Sequence, residues 1–90
     1  MTDSAVHIIV HGQVQGVFFR ALAQTQASEL GVTGWVRNLQ DGTVEVHAEG
    51  DQEALGEFIK WCHKGPSHAK VTRCDLDWIA PQLMSNFKIL

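Results

Sequence analysis

The nine residues Gly12-Gln13-Val14-Gln15-Gly16-Val17-Phe18-Phe19-Arg20 constrain this chain more than any other stretch. They lie between an apolar run that alternates with period two, residues 5–11, and a run of helical period from about Arg20 to Leu30. A turn from strand into helix over so few residues needs backbone angles that glycine adopts without strain. Gly12 and Gly16 stand four apart to supply them, and a glycine backbone also approaches a ligand closely. The amides of such a turn, backed by a helix N-terminus, converge into a concave anion site. Arg20 falls at or near the first helical turn, where the helix dipole disfavours a cation by roughly 0.3–1 kcal/mol at an exposed position. A bound anion reverses that sign, because guanidinium and amides clamp the same oxygens. The stretch reads as a phosphate cradle.

The rest of the chain supplies the frame. Residues 5–11 predict a strand with Val6, Ile8 and Val10 on one face and His7, Ile9 and His11 on the other. The following helix carries an apolar stripe of Phe19, Ala23, Ala27 and Leu30, and Gly31 is placed to end it in a left-handed cap. Val32 to Asn38 and Thr43 to Glu49 form a hairpin around the Asp41-Gly42 turn signal. Within its second arm Val44, Val46 and Ala48 point one way, and Glu45, His47 and Glu49 the other. Asp51 is a suitable N-cap for a second helix with Leu55, Phe58, Ile59 and Cys62 buried, and Lys64-Gly65-Pro66 stops it. Ala69 to Ile79 and the short edge run Phe87-Lys88-Ile89 complete the order β-α-β-β-α-β with one small strand added. This order predicts an α+β protein: a two-layer α/β sandwich, ferredoxin-like, with both helices on one face of an antiparallel sheet and a short extra C-terminal strand.

Residues 1–90 are expected to form a single domain, since a chain of this size buries roughly 60–65% of its unfolded surface, enough for one core. A net charge of −3 and a pI near 5.9 supply no long-range attraction for nucleic acid or an anionic membrane. Any anion must therefore be captured by local geometry. No apolar run reaches membrane-spanning length and no basic, apolar leader is visible, so the expected location is cytoplasmic and the expected state a monomer. Cys62 and Cys74 form neither a disulfide framework nor a C-x-x-C motif and are read as reduced, mostly buried thiols.

At two places the residues resemble the acylphosphatase family. Gly12 to Arg20 fits the pattern G-x-V-Q-G-V-x-[FY]-R, and Gly34-Trp35-Val36-Arg37-Asn38 with Gly42-Thr43-Val44 and Gly50 fits a second family pattern. A Gly-Pro-x-x-Ala-x-Val stretch from Gly65 to Val71 is also similar, and the likeness extends over essentially the whole chain. The chain departs at Phe87-Lys88-Ile89-Leu90, where family members often carry an Arg or Tyr after the Phe-x-Ile strand. What the resemblance implies is hydrolysis of the carboxyl-phosphate bond of a small acyl phosphate, with no metal and no cofactor. It places the phosphate-binding arginine on Arg20 and the water-positioning asparagine on Asn38.

Both residue types suit that chemistry. Phosphoryl transfer spreads charge over equatorial oxygens, so catalysis is mostly positioning and electrostatic stabilisation. The backbone amides of Gln15, Gly16, Val17, Phe18 and Phe19, with a forked guanidinium, meet that need. Asn38 accepts from water through its carbonyl oxygen and donates through its NH₂, but is no base at neutral pH. A carboxylate leaving group needs no strong acid.

The competing readings are a non-catalytic ferredoxin-like anion- or RNA-binding module on the same fold, a site that holds phosphate without turnover, and an accessory domain of a larger carbamoyl-transfer enzyme. An RNA sheet would need central aromatic residues and a basic face, and the chain is acidic with no K/R-G-F-G-F-V run. His7, His11 and His47 are read as a half-solvated sheet face rather than a metal site. Trp35, Trp61 and Trp78 are read as core or half-buried packing, and Glu45, Glu49, Asp51 and Glu53 as a solvated acidic rim.

Overall fold

The computed structural model describes residues 3–90. Seven elements follow in order: β1 (Ser4–Gln13), α1 (Phe19–Leu30), β2 (Thr33–Asn38), β3 (Val44–Gly50), α2 (Gln52–Lys64), β4 (Lys70–Ile79) and β5 (Phe87–Ile89). The five strands make one sheet in the order β4-β1-β3-β2-β5, and the helices pack on one face of it. This is the expected ferredoxin-like α+β sandwich with one correction. The sheet is mixed, because β5 runs parallel to β2 while the other three pairings are antiparallel. β4 and β2 lie on opposite sides of the sheet, so residues 80–86 carry the chain across its width to the far edge. β5 arrives there antiparallel to β4, and that direction matches β2.

The core follows the alternation of the strands. Val6, Ile8 and Val10 of β1 and Val44, Val46 and Ala48 of β3 are buried against Phe19, Ala23 and Ala27 of α1 and Leu55, Phe58 and Cys62 of α2. Each large apolar side chain so placed contributes about 1.5–3 kcal/mol over its exposed state. Gly31 ends α1 at φ 72°, and the Asp51 carboxylate accepts from the Ala54 amide at 2.8 Å to cap α2. Cys62 is buried and Cys74 half-buried, both unpaired; burial pushes the Cys74 thiol up to about 11.

The outer face of the sheet departs from expectation. Glu49 and His47 are buried rather than solvated, with His47 Nε2 and the Glu49 carboxylate 2.5 Å apart. The crossing segment accounts for this: the Gln82 and Met84 amides donate to the two Glu49 oxygens at 2.5 and 3.1 Å. Trp35 stacks on His47 with centroids 5.8 Å apart, and the Arg37 guanidinium lies over the Trp35 ring, 5.3 Å from its centre. Glu45 is also drawn in, held by His7 and Arg37. Of the expected rim only Asp51 and Glu53 stay exposed. Trp78, expected to be packed, is exposed on the edge strand β4, beyond the cover of the helices.

Candidate active site

β1 runs on to Gln13, with a register shift between His11 and Gly12 in its pairing with β4. Gly12 serves a strand contact. At φ 124° a Cβ there would overlap the Lys70 carbonyl of β4, so its missing side chain lets two strands approach at the bulge. Gly16 is the glycine of the loop itself, at φ 74° with open space where a Cβ would point. Phe18 precedes the helix at φ 62°, ψ 20°, a left-handed conformation that costs a side chain with a Cβ about 1–2 kcal/mol. Its side chain is 76% exposed.

Phe19 pins the start of α1. It is buried under Trp61 with ring centroids 5.1 Å apart, and that anchoring turns the next residue away from the core. Among the described residues, the amides from Gln15 to Phe19 meet no backbone acceptor. They are the unsatisfied donors of a helix start and of the loop before it. α1 begins with no acidic residue in its first turn, so its positive end is uncompensated on its own chain.

Arg20 and Asn38 come together. Both line one open pocket of about 310 Å³ with Val14, Gly16, Phe18, Phe19, Ala21 and Ile89. Arg20 is half-buried, and its Nη1 donates to the Leu90 carbonyl at 3.4 Å, which leaves most of the guanidinium fork free. Asn38 is exposed at the end of β2. Of the five loop residues expected to present amides, Gly16, Phe18 and Phe19 line the pocket; Gln15 and Val17 flank them in the same loop, with the Val17 side chain packed on the core.

Two contributions escaped the sequence reading. The Gln15 side-chain amide donates to the Leu39 carbonyl at 2.7 Å and to the Thr43 carbonyl at 2.8 Å, bracing the hairpin turn that begins at Asn38. The turn is held a second time by Asp41, which accepts from the Thr43 hydroxyl at 2.6 Å and the Thr43 amide at 3.0 Å. These bonds, the hydroxyl foremost, hold the Asp41 carboxyl below its ordinary range. Ile89 reaches the pocket because β5 pairs it beside Val36, two residues before Asn38, and Gln24 of α1 fastens β5 by donating to the Phe87 carbonyl at 2.9 Å. No local pattern in the sequence reports which way a loop glutamine points, or the register of a three-residue strand.

Fold and pocket together define a ferredoxin-like domain whose first strand-to-helix loop faces an arginine and an asparagine across one cleft. The acylphosphatase family model matches residues 6–89. An acylphosphatase of Methylococcus capsulatus is 56% identical over 79% of this chain and 77% of its own, and one of Roseiflexus sp. is 50% identical over 90% and 88%. The structure of an acylphosphatase from Coxiella burnetii superposes with a TM-score of 0.94 at 36% identity, covering 98% of this chain and 93% of the other. The chain belongs to the acylphosphatase family.

Proposed function

We propose that this acylphosphatase works through Arg20 and Asn38, with the loop amides from Gln15 to Phe19 holding the phosphoryl group. The reaction is the hydrolysis of an acyl phosphate to a carboxylate and inorganic phosphate. The observation that carries the assignment of roles is the shared pocket, where a guanidinium, a carboxamide and the unsatisfied amides of a helix start face one space. The phosphoryl oxygens lie in the loop, gripped from the side by the Arg20 fork. A water held by the Asn38 carboxamide attacks phosphorus as the bond to the acyl oxygen breaks. The carboxylate leaves with its electron pair, and the water's proton passes to a phosphoryl oxygen, since Asn38 cannot take it. The amides stabilise charge without moving, because the bulge at Gly12 and the buried Phe19 fix both ends of the loop.

The substrate is a small acyl phosphate, consistent with the size of the pocket. We take residues 1–90 as one domain acting as a cytoplasmic monomer without a nucleic-acid partner; among the described residues no helix is long and apolar enough to cross a membrane. Release of phosphate from acetyl phosphate tests the assignment. Wild-type protein should exceed buffer by orders of magnitude, and Arg20→Ala should lose at least a hundredfold in kcat/KM. Equal rates for wild type and variant would refute the role given to Arg20.

A further inference from the structure

The pocket has a lining of two kinds. Arg20, Asn38 and the loop backbone are polar, while Phe18 and Ile89 add apolar side chains that reach solvent. Both apolar residues are exposed, Phe18 at 76% and Ile89 at 41%. Core packing explains neither. The Phe18 ring stands outside the hydrophobic cluster, on a residue whose left-handed backbone would suit glycine or asparagine better than an aromatic. The α1 N-cap is no explanation, because the Phe18 side chain makes no capping hydrogen bond. What remains is its position over the cleft. A phosphoryl group seated in the loop has one substituent left to place, the acyl group, and the exposed apolar surface lining the same pocket is that of Phe18 and Ile89.

We propose that Phe18 and Ile89 form an apolar lip that holds the acyl group, so that the site selects acyl phosphates with an aromatic or bulky apolar acyl portion over those with a small one. The inference rests on the functional reading above and extends it to substrate class. An aromatic acyl group offset-stacks on the Phe18 ring and covers surface that otherwise stays in water. An acetyl group is too short to cover it. The amide of residue 18 survives substitution of its side chain, so grip on phosphate and choice of acyl group are separable.

The test is the ratio of kcat/KM for benzoyl phosphate to that for acetyl phosphate, in wild type, Phe18→Gly and Ile89→Ala. Glycine accepts the backbone angles of position 18, so that variant removes the ring without straining the loop. The differing lability of the two substrates cancels when ratios are compared between proteins, as does any slackening of the phosphate grip common to both. The expected result is a fall in the ratio of at least fivefold for Phe18→Gly and at least threefold for Ile89→Ala. A ratio that falls less than threefold in Phe18→Gly overturns the proposal, whatever happens to the absolute rates. Failure of wild-type protein to hydrolyse either benzoyl or acetyl phosphate would instead defeat the functional reading beneath it, a distinct outcome.

Discussion

Gln15 and Leu39, twenty-four residues apart in the chain, are joined by a 2.7 Å hydrogen bond from the glutamine's side-chain amide to the leucine's carbonyl. The same amide donates to Thr43 at 2.8 Å, so one side chain in the phosphate loop grips both arms of the turn beside Asn38. The loop proposed to grip phosphate and the turn proposed to place water are thereby built as one unit. Gln15→Leu should keep its fold, since Leu39 still accepts from Gly42 at 3.2 Å and Thr43 from Leu39 at 2.9 Å. About 1–3 kcal/mol of stability is expected to go with the two bonds. kcat on acetyl phosphate should fall roughly 10–100-fold, the scale of a misplaced reacting group. Competitive inhibition by inorganic phosphate should weaken far less. An unchanged kcat would show that the two loops are not coupled in function.

Arg20 and Asn38 should fail differently. Arg20→Lys replaces a fork with a point charge and should weaken inhibition by phosphate as well as turnover, so the substitution is not conservative. Asn38→Ala should leave phosphate inhibition within a few-fold while kcat drops by about two orders of magnitude or more, as for loss of a transition-state donor. Matching profiles for the two variants would contradict the division of labour.

Glu49 ties acid stability to the crossing segment. Burial pushes its carboxyl up, but the His47 hydrogen bond and the Gln82 and Met84 amides outweigh that, so its folded value lies below the ordinary 4.5. A depressed carboxylate contributes stability that is fully present above its unfolded value and is lost as pH falls through the folded one. Wild type should therefore lose stability as pH drops below about 4.5. Glu49→Gln should flatten part of that decline. Glu49→Ala should cost about 3–5 kcal/mol at neutral pH, because it strands a buried His47 and two amides. Urea denaturation at several pH values reads both effects; parallel curves for wild type and Glu49→Gln would remove Glu49 from the acid transition.

The two loop glycines should separate stability from catalysis. Gly12→Ala drives a methyl into the Lys70 carbonyl and should destabilise by more than about 3 kcal/mol or abolish folding. Gly16→Ala meets open space and should cost about 1–2 kcal/mol through its left-handed backbone alone. Its effect should fall chiefly on KM, because the methyl stands in the cradle. Thermal melts alongside kinetics decide this, and equal destabilisation by the two would contradict the geometry.

Much of this was legible in one dimension. Val6, Ile8 and Val10 alternate because a strand alternates, and Phe19, Ala23 and Ala27 recur at helical spacing, so their faces were readable before any coordinates. Gly31 and Asp51 announced helix boundaries through local backbone and capping chemistry. The expected rim at Glu49 was mistaken for a physical reason. Its neighbours in sequence say nothing of residues 80–86, which cross the sheet and supply the amides that bury it.

The sequence alone determined the alternation of elements and the helix boundaries, and its motifs put forward the Gly16–Arg20 turn as an anion site with Arg20 and Asn38 as the proposed partners in chemistry. These depend on local periodicity, backbone freedom and residue type, all of which a linear chain carries. Only the tertiary structure decided that β5 runs parallel to β2, that Gly12 lets β1 and β4 approach closely, and that Gln15 clasps the turn at Asn38. It also brought Phe18 and Ile89 into the lining of one pocket. Each of those is a meeting of residues distant in sequence, settled by the packing of the whole sheet against its two helices.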